Sequence, residues 1–145
     1  VSSYISIRSE INTKAVMNWL SSNGYIVCLP VIEKENSPLD FYEWTKNAQL
    51  KSGQYGIPIP SEKTKCEPNI LLCPLVSFDF NGNRLGYGGG FYDRTIKKLR
   101  KTKKVLVIGL GFSEQGSKIE LPFDKNDQKL DAIVTDKQFF IFNEK

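Results

Sequence analysis

Apolar positions along the chain recur in short runs of two different periods. Tyr4-Ile5-Ser6-Ile7 alternates apolar and polar side chains and predicts a short strand. Asn12 or Thr13 can then cap a helix whose Ala15, Val16, Trp19 and Leu20 share one face, with Gly24 placed to end it. Tyr25–Leu29, closed by Pro30, reads as a buried strand. Strand, helix and strand in such quick succession mark a βαβ unit with parallel strands. A polar bend at Glu33–Pro38 leads to a strand at Leu39–Trp44. Gly53–Pro68 carries Pro58, Pro60 and Pro68 and predicts an ordered loop without regular structure.

Farther on, Ile70–Cys73 is a wholly apolar run stopped by Pro74, the pattern of a core strand. Val76–Phe80 and the residues after Asn83 flank Asn81-Gly82, the strongest short-range hairpin signal. Phe91–Leu99 has helical spacing, and Val105–Gly109, Ala132–Thr135 and Phe139–Phe142 read as strands. Strands interleaved with helices across residues 1–145 predict a single α/β domain around a mostly parallel, covered sheet.

Composition narrows the chemistry. The 145 residues are 40% hydrophobic and 25% charged, values of a folded soluble domain rather than a disordered chain. The longest apolar runs fall far short of the ~20 residues that a membrane helix needs. Histidine is absent. Serine or cysteine nucleophiles paired with histidine are therefore excluded, and any proton transfer falls to Asp, Glu, Lys, Tyr or Cys. Cys28, Cys66 and Cys73 show no CxxC spacing. Cys28 and Cys73, set in apolar runs, read as reduced core residues of a cytoplasmic protein. Basic side chains number 20 against 16 acidic, and six of the eight residues in Lys97–Lys104 are Lys or Arg. With no aromatic residue between them they read as a solvated helix end, not a nucleic-acid surface. Val1 leads straight into the first alternating run, so the chain reads as beginning mid-fold.

Five of the eleven glycines, Gly82, Gly86, Gly88, Gly89 and Gly90, fall within nine residues between the hairpin and the following helix. Glycine costs ~0.5–1 kcal/mol relative to alanine inside regular structure, so such density implies a backbone put to use. A loop of this kind offers consecutive unshielded N–H groups ahead of a helix N-terminus, a site for phosphate. Arg84 at its entrance adds a planar cation suited to bidentate phosphate contact. Two better-known phosphate motifs fail. Gly111–Lys118 has Ser and Lys in the wrong order for a P-loop, and Val105–Glu114 lacks the third glycine of a dinucleotide fingerprint. A nucleotide arrives with Mg²⁺, which takes oxygen ligands. Asp93 follows the glycines directly, and Asp124, Asp127 and Asp131 precede the Ala132–Thr135 strand. Asp124 and Asp131 read as surface or capping residues.

The run Asn83-Arg-Leu-Gly-Tyr-Gly-Gly-Gly-Phe-Tyr-Asp-Arg94, preceded by Pro74-Leu-Val-Ser-Phe-Asp79, closely resembles the signature of the 5-formyltetrahydrofolate cyclo-ligases, also called methenyltetrahydrofolate synthetases. The likeness extends through Tyr4–Glu10, Tyr55-Gly-Ile57, Gly109–Gln115 and Leu130–Thr135. It implies a three-layer α/β/α sandwich and conversion of 5-formyltetrahydrofolate and ATP into 5,10-methenyltetrahydrofolate, ADP and phosphate. By the same resemblance Arg84, Leu85, Gly86, Tyr87, Gly88, Gly89, Gly90, Phe91 and Tyr92 would form the ATP site, with Arg84 and Tyr92 catalytic. Ile5, Glu10, Tyr55 and the stretch Tyr87–Phe91 would hold the folate, and Asp93 and Asp127 would ligate Mg²⁺. The implied partners are the small-molecule substrates, with no nucleic acid and no membrane. The sequence departs from the family's pattern in having no counterpart of its basic N-terminal helical section, in Ile59 before Pro60, and in Asn126 before Asp127. The alternative is a shortened homologue that binds folate or nucleotide with little or no turnover.

Overall fold

The computed structural model describes residues 1–142. Its first sheet contact is Ser2 rather than the predicted Tyr4–Ile7 strand. Ser2 bridges Cys28 on one side and Leu71 on the other, both parallel. Its N–H donates to the Ile70 carbonyl (2.8 Å), and its own carbonyl accepts from Leu72 (2.9 Å). After Ser3 the chain leaves the sheet. It turns where Glu10 N–H reaches the Ile7 carbonyl (3.1 Å) with Arg8 at φ +54°. The alternation at residues 4–7 therefore has no neighbour to pair with.

Helix α1 spans Lys14–Ser22, and Gly24 (φ +84°) follows its C-cap, Asn23. Of the predicted face Ala15, Val16, Trp19 and Leu20 only Leu20 is buried; the buried stripe is Thr13, Met17 and Leu20, spaced i, i+4, i+7. Trp19 is 58% exposed and stacks on Tyr25, which corrects that reading.

Strand β1 is Val27–Val31, shifted from the predicted Tyr25–Leu29, and it runs antiparallel to β2, Asp40–Trp44. Pro30 lies inside β1 at no cost to its ladder. The Cys28 N–H and C=O both engage the Val1–Ser3 segment. Alternation aims the Pro30 nitrogen to that same side, beyond Ser3, where the chain has already turned away. The predicted Gly53–Pro68 loop instead contains half of a short antiparallel ribbon, β3 (Leu50–Ser52) with β4 (Pro58–Pro60).

Strand β5 is Ile70–Cys73 and β6 (Ser77–Phe78) pairs with β7 (Arg84–Leu85) as the predicted hairpin. Helix α2 spans Phe91–Thr102. Strands β8 (Leu106–Leu110) and β9 (Ala132–Val134) continue the sheet parallel to β5, and β10 (Phe139–Ile141) closes it antiparallel. With Ser2 as the link, the order is β2-β1-Ser2-β5-β8-β9-β10, mostly parallel with an antiparallel strand at each edge.

Alternation along β1 sets the layers. Val27 and Leu29 pack with Met17 and Leu20 of α1, whereas Cys28 joins Leu71, Val107 and Ile133 in the cluster with Ile96 and Leu99 of α2. The two helices thus cover opposite faces. On the face of α1, Leu106 and Val134, out of phase with buried Val107 and Ile133, remain 44% and 41% exposed. No helix among the described residues is long and apolar enough to cross a membrane.

Candidate active site

The crossover from β5 to β8 places the start of α2 at the carboxyl edge of the parallel strands, where open α/β sheets hold their ligands. The hairpin ahead of it is pinned at its turn by Asp79, which is 2% exposed. Its carboxylate accepts the N–H groups of Asn81 (2.9 Å), Asn83 (3.0 Å) and Leu121 (2.8 Å) and the Asn83 amide (2.9 Å). Burial alone would raise its pKa, but these hydrogen bonds outweigh it and hold the carboxyl below 3.8.

Between hairpin and helix the glycine loop is exposed and conformationally special. Gly88 (φ +97°) and Gly90 (φ +72°) occupy the left-handed region, Gly90 as the N-cap of α2. Among the described residues, no N–H from Gly86 through Asp93 donates to a protein acceptor. Consecutive free amides at a helix start, two of them on glycines in the left-handed region, are what an anion site requires.

Beneath the loop lies a buried polar group of side chains. Arg84 sits over the Tyr92 ring (5.4 Å to the centroid), its Nη2 3.8 Å from the Asp93 carboxylate. Asp93 Oδ1 also takes the Gln128 N–H (3.0 Å), which brings the neighbour of Asp127 onto the first turn of α2. Burial pushes the Tyr92 hydroxyl well above 10 and the Cys73 thiol up to about 11, so both stay protonated at neutral pH. Asp127 is exposed, and its Oδ2 accepts the Asp124 N–H (3.0 Å).

The turn after Ser3 contributes Glu10 and Arg8. Burial raises the Glu10 pKa, while the Ile7 N–H (2.9 Å), the Tyr87 hydroxyl and Arg8 act against it. Arg8 in turn lies 5.0 Å over the Tyr87 ring. Glu10 thus lies beside Tyr87 of the glycine loop. Ile5 points elsewhere, into the cluster beneath α1 with Val27 and Leu29. Tyr55 is 69% exposed, and its hydroxyl donates to Glu35 (3.0 Å).

Arg94 carries a role that sequence reasoning missed. Its Nη2 donates to the Gly89 carbonyl (2.8 Å) and its Nε to the Ser37 carbonyl (3.2 Å), with the guanidinium 4.9 Å over Phe91. It anchors the loop to the Glu33–Pro38 bend, two residues from the Glu35 that holds Tyr55. The signal was present in the Gly90-x-x-x-Arg94 spacing, one helical turn. The Lys97–Lys104 run lies at the opposite end of α2. There Arg100 pairs with Asp131 (3.1 Å) and Lys103 with Glu67 (3.2 Å), away from the glycines.

The donor set suits a hard cation. Asp93 Oδ2 and Asp127 Oδ1 have no protein partner among the described residues, and both are carboxylate oxygens. Two such ligands leave the rest of a Mg²⁺ shell to phosphate and water, the usual division for this ion. No group of three or more Cys, Asp or Glu side chains able to hold a metal unaided occurs among the described residues.

The sequence profile of the 5-formyltetrahydrofolate cyclo-ligase family matches residues 1–136. The 5-formyltetrahydrofolate cyclo-ligase of Haemophilus influenzae is 37% identical over 118 residues, covering 77% of this chain and 63% of that protein. The Escherichia coli K12 enzyme of that name is 31% identical over 142 residues, 93% of this chain and 76% of its own. The chain therefore spans less than two thirds of the Haemophilus protein and about three quarters of the E. coli one. In structure it resembles the 5,10-methenyltetrahydrofolate synthetase of Aquifex aeolicus, with TM-score 0.79, 28% identity, and coverage of 99% of this chain and 72% of the other.

Proposed function

The chain belongs to the 5-formyltetrahydrofolate cyclo-ligase family, and from that membership we propose that it closes the imidazoline ring of 5,10-methenyltetrahydrofolate from 5-formyltetrahydrofolate at the expense of ATP. The observation that carries this reading is the row of unpartnered amides from Gly86 to Asp93, set between Glu10 on one side and the Asp93–Gln128 contact on the other. One flank suits a nitrogen-rich heterocycle, the other a polyphosphate.

A formyl oxygen is a poor leaving group until it carries phosphate. In the proposed reaction it attacks the γ-phosphorus of ATP, and ADP leaves with the electrons of the broken P–O bond. N10 of the folate then bonds to the formyl carbon, the C–O bond breaks to release phosphate, and N10 gives up its proton. The protein's tasks are alignment and charge stabilisation. The loop amides hold phosphate oxygens, and Arg84 offsets charge at the transferring group. Tyr92 remains a hydroxyl donor because burial prevents its ionisation. Glu10, held by the Ile7 N–H, accepts from the ring nitrogens of the pterin. Asp93 and Asp127 would hold Mg²⁺, which when bound neutralises phosphate charge. No histidine is needed anywhere in this scheme.

A second reading, binding without turnover, is favoured by the state of the nearby cations. Arg84 is committed to Asp93, and Arg94 to Gly89 and Ser37. Mixing the protein with 5-formyltetrahydrofolate, ATP and magnesium separates the two. Growth of methenyl-folate absorbance that requires all three supports the ligase, whereas nucleotide binding with no absorbance change supports the second reading.

A further inference from the structure

Among the described residues, four buried side-chain polar atoms have no hydrogen-bond partner: the hydroxyls of Tyr4, Tyr42 and Tyr92, and Nε of Arg84. Three of the four gather in one place. Arg84 lies over the Tyr92 ring, and the Tyr92 hydroxyl has Cys73, Arg84, Tyr4 and Glu10 around it. The Tyr4 hydroxyl likewise has Glu10, Cys73 and Tyr87 as its charged or ionisable neighbours. Tyr4 is 3% exposed and stands at the carboxyl end of the Ser2 segment, the same edge of the sheet that carries the glycine loop.

An unsatisfied buried donor costs about 1–3 kcal/mol, and native structures keep few of them without a reason. Arg84 Nε can only donate, and the two hydroxyls can rotate to do so. Three donors in one cluster call for an acceptor with several lone pairs. A water molecule accepts only two hydrogen bonds, whereas a phosphoryl group presents three acceptor oxygens.

We propose that Tyr4 is a further ligand-contacting residue, whose hydroxyl joins Tyr92 and Arg84 Nε in a three-donor cradle for a phosphoryl oxygen of the nucleotide. Half-exposed Tyr87 is a neighbour of Tyr4. The inference rests on the nucleotide-binding part of the reading above and adds a residue to it.

The orphan hydroxyl also makes the test unusually clean. Removing a polar group that has no partner in the free protein relieves a cost, so Tyr4→Phe leaves the melting temperature at or above that of the wild type. Its loss from a charged ligand weakens binding by about tenfold or more. Tyr42→Phe serves as the control, because its hydroxyl is equally orphaned but lies in β2 at the sheet edge. Calorimetry with MgATP and thermal melts on the three proteins supply the readouts. Expected are a Tyr4→Phe protein no less stable than the wild type with a dissociation constant raised about tenfold, and a Tyr42→Phe protein with unchanged affinity. Wild-type affinity in Tyr4→Phe overturns the inference while leaving the function intact. So does a melting temperature lowered by several degrees, since the hydroxyl would then have an internal partner. A wild-type protein that binds no MgATP overturns the function and the inference together.

Discussion

Asp79 and Asp93 show how differently two aspartates of one short stretch act. Asp79 is sealed in and saturated by four donors. Asp79→Ala strands all four and should cost about 3 kcal/mol or more in chemical denaturation. Because its folded pKa is depressed, its contribution is complete above the ordinary carboxylate range and disappears as pH falls through the lower folded value. The stability of the wild type should therefore drop faster than that of Asp79→Asn below about pH 4. A wild-type curve parallel to the variant's would refute this. Asp93 keeps a free oxygen at the edge of the loop. Asp93→Asn retains an acceptor for Gln128 N–H but loses the charge. It should fold normally and lower kcat/KM by about 100-fold, with a raised magnesium requirement in a metal titration. Neither Asp79's bond from the Leu121 N–H nor Arg94's bond to the Ser37 carbonyl was visible beforehand, since both depend on partners brought near only by folding.

At the level of elements, the legible parts were those governed by local chemistry. Asn81-Gly82 marked the hairpin, Pro74 the end of β5, and the glycine cluster the entry to α2, because turn and cap preferences act over a few residues. Elements whose outcome depends on pairing were less legible. The Tyr4–Ile7 alternation matches a strand, yet the chain leaves the sheet after Ser3. Pro30 stops strands in general but not β1, whose partner at that position has gone. Trp19 shares a helical face with Leu20 but is left outside, since the sheet beneath α1 receives Met17 instead. The loop gives the prediction at this scale. Gly88 has open space around a Cβ, so only its φ resists substitution, whereas a Cβ at Gly90 would also come 2.7 Å from Arg94 Nη1. Gly88→Ala should cost about 1 kcal/mol and Gly90→Ala more, each weakening nucleotide affinity through loop geometry. Equal affinity in both variants, measured by calorimetry, would show that the left-handed turns are dispensable.

Across the whole molecule, the densest positive charge stands apart from the glycine loop. The densest basic run sits at the far end of α2 on Asp131, Glu67 and solvent, while the glycine loop has free backbone amides and two engaged arginines beside it. Replacing Lys97, Lys98 and Lys101 together by Gln should therefore leave the dissociation constant for MgATP within about twofold, with only a salt-dependent change in association rate. A tenfold loss would relocate the phosphate site. The layered α/β plan followed from strands alternating with helices. The open α1-side face at Leu106 and Val134 did not, because apolar composition does not say which apolar residues find a partner.

The proposed function stands on the free amides from Gly86 to Asp93 receiving the phosphates. Amide chemical shifts of the ¹⁵N-labelled protein, followed as MgATP is added, test it directly. The largest changes are expected at Gly86, Gly88, Gly89 and Gly90 and in the first turn of α2, saturating with a single affinity. Shifts confined to Lys97–Lys104, with the glycine amides unmoved at saturation, would contradict it.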